Sequence, residues 1–194
     1  MSRVQKIQKE QAQPKAREIY DKIEGNGAKV LNLYKVLAHN PSVLHNFLRL
    51  GNSLLASTEL SPKLRELAIL RIARLTGSEY EWTQHYPIAL ETGISPNQTE
   101  AIQHWNDSTS FSDEERAVLQ YTDDVAQNVE VGDETFRALQ QHLTEQSIVE
   151  LTLSIGYWGM VARLLVPLQV DIDTETAGSA QDLTGNRGQR HRTT

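Results

Sequence analysis

Four side chains in this chain of 194 residues have types and spacings that could do chemistry: Glu66, Ser78, Glu81 and His85. If the run after Ser61 is wound as a helix at about 100° per residue, Glu66 falls on the side of Ile69, Leu70 and Ala73, while Lys63, Arg71 and Arg74 gather elsewhere. A carboxylate on an apolar face is pushed toward its neutral form by desolvation unless a cation or hydrogen-bond donor compensates. Such a group is either a proton donor or acceptor, or a structural ligand of an arginine or a helix end.

Ser78, Glu81 and His85 stand at i, i+3 and i+7, so they share one helical stripe with Trp82, Ile88 and Ala89. A carboxylate four residues before an imidazole can orient one ring nitrogen and leave the other for proton transfer near neutral pH. The plainer alternative is an exposed Glu–His pair contributing a few tenths of a kcal/mol to the helix and nothing more. Glu81, His85 and Glu66 could also be three metal ligands, but the set is sparse and no further motif supports it, so no metal or other cofactor is expected. His39, His45, His104, His142 and His191 have no partner at comparable spacing and read as surface or helix-end residues.

The elements that must hold these groups are marked by proline and glycine. Pro14, Pro41, Pro62 and Pro96 each sit where a first helical turn tolerates a missing N–H. The spacing predicts helices from Pro14 to Gly25 or Gly27, from Pro41, from Pro62 to Thr76, from Ser78 to Thr92, and from Asn97 to about Trp105. Ser112 with Glu115 fits a capping box opening a helix to about Asn128, and Asp133 and Thr144 read as two more N-caps. The last of these leads an apolar helix from about Glu145 to Val170. No alternating pattern competes, so the fold class is all-α.

Composition narrows the function further. With 19 Lys and Arg against 25 Asp and Glu, the net charge is −6, and no basic field exists to attract nucleic acid. No secretory signal precedes the first helix, and the uncharged stretch Leu151 to Ala162 is too short to span a bilayer, so a cytoplasmic location without membrane contact is expected. There is no cysteine, which removes thiolate nucleophiles, dithiol redox cycles and thiolate metal sites from this chain. The pair Leu60-Ser61 with Glu66-Leu67 is echoed by Leu143-Thr144 with Glu150-Leu151, a weak internal duplication.

The run LSPKLRELAILRIARLTGSEYEWTQHYPIALETGIS, from Leu60 to Ser95, resembles the signature of the carboxymuconolactone decarboxylase family, within the AhpD-like superfamily. The resemblance continues through VLNLYKVLAHNPSVLHNFLRLGNSLL upstream and IVELTLSIGYWGMVARLL downstream. It implies an AhpD-like helical bundle that assembles as a homo-oligomer, a trimer or hexamer, with sites between helices. It marks off an N-terminal helical extension (1–29) from a decarboxylase-like helical domain (30–172), and the scarcity of large apolar residues after that predicts a disordered tail (173–194). In the peroxidase branch a glutamate, two cysteines and a histidine do the work. Glu66 and His85 match the ends of that motif, whereas Ser78 and Glu81 occupy the cysteine positions, so thiol-based peroxide reduction is not available.

The decarboxylase branch instead implies a lyase that needs no cofactor and acts by acid–base chemistry on a small carboxylated or lactone substrate. On that reading His85 transfers the proton, Glu81 orients its ring, Glu66 is a buried second acid or base, and Ser78, Tyr80 and Trp82 line the substrate. The alternative is a non-catalytic helical oligomer that keeps the fold as a binding or scaffold module.

Overall fold

A computed structural model of the chain describes residues 1–173; the expected tail lies, from 174 onward, outside the described residues. The described chain is all-helical: α1 (Pro14–Gly25), α2 (Asn32–Leu37), α3 (Pro41–Ala56), α4 (Pro62–Thr76), α5 (Glu79–Glu91), α6 (Pro96–Ala101), α7 (Asp113–Asn128), α8 (Asp133–Gln140) and α9 (Glu145–Leu168). Short 3-10 turns at Lys9–Gln11 and Ile102–Asp107 complete it.

The starts follow from local chemistry. Asn40 Oδ1 accepts from the amides of Ser42 and Val43, Thr144 Oγ1 accepts from Ser147, and Ser95 with Gln98 and Ser112 with Glu115 form reciprocal capping boxes. Two starts differ from expectation. Ser61 precedes α4 but its side chain makes no capping bond, so Pro62 alone fixes that turn. Gly132, not Asp133, is the N-cap of α8, and Asp133 becomes its first acidic residue, favourable beside the positive end of the helix dipole. Gly77 ends α4 in the left-handed region at φ 65°, a backbone conformation that a side chain would strain.

One expected helix breaks. Instead of running to Trp105, α6 stops at Ala101 and the chain kinks at His104. Tertiary bonds account for this: Arg71 Nη1 donates to the carbonyls of Ile102 and Gln103, both at 3.0 Å, and the Trp105 indole donates to Asp123. Those carbonyls serve a buried guanidinium, and no spacing rule along the chain foretells it.

Helix α4 is the axis, packed on α5, α7 and α9 and buried almost all round, including Arg65, Glu66 and Arg71. The main core joins α4 and α9 through residues such as Leu64, Ile69, Ile72, Ile155 and Leu165, while a second cluster lies between α4, α5 and the Ile102–Asp107 turn. The N-terminal 29 residues supply a third, in which Ala16, Ile19 and Tyr20 meet Val30, Ala38 and Leu44. In α9 an 18-residue window reaches a mean hydropathy of 1.4, beyond what the uncharged stretch alone suggested, and half of that window is buried in the protein. The internal echo stops at the helix starts: Glu66 is buried beside His85, whereas Glu150 accepts from the amide of Leu60 near the surface.

Candidate functional site

Glu66 and His85 come together because α4 and α5 form a tight pair around the Gly77 turn. Glu66 Oε2 lies 2.8 Å from His85 Nδ1, with Glu66 fully buried and His85 7% exposed. On the far side of the ring, the Trp158 indole N–H from α9 donates to His85 Nε2 at 2.9 Å, and the two rings meet edge-on. An indole nitrogen can only donate, so Nε2 must present its lone pair and the proton of the neutral imidazole resides on Nδ1, pointing at Glu66. Both ring nitrogens are thereby engaged. The same indole stands on the nitrogen that a metal would need, so these residues are arranged for a hydrogen-bonded chain rather than for coordination.

Arg65 closes the back of this chain. Its Nε lies 3.6 Å from Glu66 Oε1 and its Nη1 donates to Thr58 at 3.4 Å, long contacts that leave Nε without a hydrogen bond. Burial pushes the guanidinium below its ordinary pKa, with Glu66 opposing that shift.

The expected Glu81–His85 pair does not form a hydrogen bond. A contact between residues four apart on one helix is worth a few tenths of a kcal/mol, and the buried carboxylate of α4 outcompetes it. Glu81 is left 2% exposed with neither carboxyl oxygen hydrogen-bonded, and the Ser78 hydroxyl beside it is likewise unpartnered. Burial raises the Glu81 pKa to about 7, while Ser78, short of hydrogen-bond geometry, and His85 pull weakly the other way.

That shift has a consequence for stability. The folded pKa lies above the ordinary carboxylate value of 4.5, so Glu81 contributes its full stabilisation below pH 4.5 and loses it as pH rises through about 7. Relative to the Glu81→Gln variant, the native protein should lose about 3 kcal/mol between pH 4.5 and 8. Urea midpoints of both proteins across that range check this, and parallel pH curves would rule it out.

Glu81 and His85 face a cavity of about 70 Å³ between α2, α3, α5 and α9. Its walls are mainly apolar, from Leu31, Leu33, Phe47, Leu55 and Val161, or aromatic, from Tyr34, Tyr80, Tyr157 and Trp158, with the amides of Asn52 and Gln84 as further polar groups. Of the three expected substrate-lining residues only Tyr80 is there, and its hydroxyl is held by Asp173 and by the Leu33 amide. Ser78 is buried beside Glu81 but is not part of this wall. Trp82 points away, with the Arg74 guanidinium 3.4 Å above its ring.

Sequence reasoning missed the contribution of α3. Gly51 sits in mid-helix, where a Cβ would come within 2.5 Å of the Tyr157 hydroxyl, and Tyr157 donates to the Phe47 carbonyl at 3.0 Å. A glycine inside a helix costs about 1 kcal/mol relative to alanine, so its presence among apolar residues was the signal that another side chain approaches there.

With the geometry in place, comparison with other proteins identifies the scaffold. Residues 41–124 match the carboxymuconolactone decarboxylase family. The chain is 34% identical over 107 residues to the uncharacterized protein YnjA of Escherichia coli, covering 54% of this chain and 58% of the relative. It is 26% identical over 94 residues to the uncharacterized protein YdfG of Bacillus subtilis, covering 47% and 64%. The matches therefore span less than two thirds of either relative's length. In structure it is similar to the alkylhydroperoxidase AhpD core of an uncharacterized peroxidase-related protein from Ralstonia eutropha, with a TM-score of 0.77 at 18% identity over 89% of this chain and 93% of that one. The debrominase Bmp8, in complex with 2,3,4-tribromopyrrole, superposes with a TM-score of 0.68 at 20% identity, covering 83% and 87%. At such identities these likenesses establish the AhpD-type helical fold.

Proposed function

We propose that this chain, whose residues 41–124 match the carboxymuconolactone decarboxylase family, is an acid–base enzyme that needs no cofactor, a lyase type acting on a small lactone, ketone or carboxylated substrate. The observation that carries this reading is Glu81: a buried carboxyl group with no hydrogen-bond partner, titrating near neutral pH, at the polar end of an apolar cavity. A proton carrier of that kind is matched to its task when its pKa lies near the working pH. The geometry supports giving proton transfer to Glu81 and a positioning role to His85, the reverse of the order read from helical spacing. Glu66 and Trp158 hold the His85 ring, and the ring in turn presents a fixed dipole to the cavity and to Glu81.

In such a reaction Glu81, as carboxylate, takes a proton from the carbon next to the substrate carbonyl, leaving an enolate. As the resulting acid it returns a proton to that carbon. Where the substrate carries a carboxylate on that carbon, loss of CO₂ leaves the same enolate, and the acid form of Glu81 protonates it. The apolar walls exclude water, which strengthens these electrostatic effects. Zero cysteine leaves no thiol for the alternative of peroxide reduction.

The test is a panel of lactones, ketones and 3-oxo acids incubated with the protein in D₂O, scored by proton exchange at carbon and by CO₂ release. Protein-dependent exchange that rises, or CO₂ release that falls, as Glu81 ionises near pH 7 is expected; none with any member sinks the proposal. A non-catalytic binding module is the second reading. It is favoured by the engagement of both His85 nitrogens with protein partners, which leaves Glu81 as the single candidate for proton transfer.

The homo-oligomer implied by the family remains part of the proposal. It is supported by an exposed apolar row on α9, where Val149, Leu153 and Met160 recur at helical spacing. Light scattering is expected to return three or six times the chain mass of 21.9 kDa, and Leu153→Glu should lower it; a monomeric native protein would rule this out.

A further inference from the structure

The charge of the cavity wall restricts what can enter it. Among the described residues lining the space there is no lysine or arginine, and the acidic residue present is Glu81. Lys35 and Arg49 adjoin the lining residues Tyr34 and Leu48 in sequence but do not line the space, and three arginines of the surrounding helices have other partners. Arg65 lies behind Glu66, Arg71 forms a two-pronged pair with Asp123 at 2.6 and 2.9 Å, and Arg163 donates to the Gly159 carbonyl. A carboxylate brought into this space would surrender its hydration and face Glu81 with no counter-charge, a cost of several kcal/mol. The Glu81 oxygens, in contrast, lack partners, so a ligand that bonds to them restores what burial took away.

We propose that the cavity selects a neutral, mainly apolar molecule of ring size whose single carbonyl oxygen accepts a hydrogen bond from the Glu81 carboxyl group, and that it rejects carboxylates. The class is that of small lactones and cyclic ketones. The proposal rests on the acid–base reading of the same site and narrows its substrates to the neutral lactones and ketones, so that proton exchange at carbon, not CO₂ release, is the reaction expected. Size limits the ligand: about 70 Å³ is less than half of the ~150 Å³ cavity that takes benzene, so the space holds at most a small ring. The lining agrees as well, since Leu33, Phe47, Leu55 and Val161 supply apolar wall while Asn52, Glu81, Gln84 and His85 supply the polar groups.

Three probes of similar size separate the possibilities: γ-butyrolactone (neutral), isobutyrate (anionic) and cyclopentylammonium (cationic). Binding is read from the Trp158 indole N–H resonance, identified by its loss in Trp158→Phe, because that group borders the cavity. The lactone should bind at least tenfold more tightly than either ion to the native protein. In Glu81→Gln, which keeps a neutral donor, the lactone should stay within about threefold and isobutyrate should remain excluded. In Glu81→Leu, which fills the position without a donor, lactone binding should weaken about tenfold.

Equal or tighter binding of isobutyrate overturns the proposal. So does tighter binding of the ammonium probe, which would make Glu81 a counter-ion, and so does a Trp158 resonance that none of the three moves. Since Glu81→Gln cannot shuttle a proton, its selectivity reports the cavity alone. Selectivity without any proton exchange in the native protein would refute the acid–base reading and leave this one standing; exchange with inverted selectivity would do the opposite.

Discussion

Glu81→Gln is expected to lower proton exchange at carbon, or CO₂ release, by about 10²–10⁴-fold, with the helical fold retained. The amide is nearly isosteric with the acid and can still donate a hydrogen bond, but it cannot accept and return a proton. Its neutrality also removes the cost of a buried charge, so above pH 7 the variant should be more stable than the native protein, not less. A loss of activity together with a gain of stability distinguishes a group kept for chemistry from one kept for packing. Rates and urea midpoints on the same preparations at pH 8 decide it, and unchanged rates would transfer the chemistry elsewhere. His85→Ala should cost less in rate than Glu81→Gln, since the ring acts by position. It should also destabilise the protein, because Glu66 and the Trp158 indole each lose a buried partner.

Asp123→Ala is expected to destabilise the protein by about 3–5 kcal/mol, as removal of one partner of a buried ion pair does. Asp123 receives both prongs of Arg71, at 2.6 and 2.9 Å, and the Trp105 indole at 3.0 Å. Its loss strands a guanidinium that is 7% exposed and frees the turn Ile102–Asp107, whose carbonyls the same guanidinium holds. The double variant Arg71→Met with Asp123→Leu should recover much of that stability, because replacing the whole pair leaves no unpaired charge. Chemical denaturation of both variants checks this. A single-variant change below about 1 kcal/mol would show that the pair is already solvated. Neither Arg71 nor Asp123 lines the cavity, so ligand binding measured well below the denaturation midpoint should survive both changes.

Most helices were legible because the signals are local. Proline fits a first turn, serine or threonine three residues before a free amide caps it, and glycine permits the left-handed stop, whatever lies beyond. The exception at Trp105 illustrates the limit, since Arg71, which breaks the helical ladder there, is over thirty residues away. The candidate site divides the same way. The burial of Glu66 followed from its apolar neighbours, and the stripe through Glu81 and His85 from the helical repeat. The partners did not follow. Helical spacing proposed Glu81 for His85, a solvent-level attraction of a few tenths of a kcal/mol, whereas a desolvated carboxylate on the adjoining helix offers a much stronger bond.

From the sequence alone came an all-helical chain without thiols, with acid and imidazole groups gathered around one helical hairpin. These properties depend on composition and on repeats shorter than two helical turns. Only the tertiary structure decided which carboxylate holds the imidazole, that Trp158 takes its other nitrogen, and that Glu81 is left buried, unpaired and facing an uncharged cavity built partly by α3. The reason is physical: a group's protonation and its bonds depend on what desolvates it, and here the desolvating atoms come from helices distant in sequence.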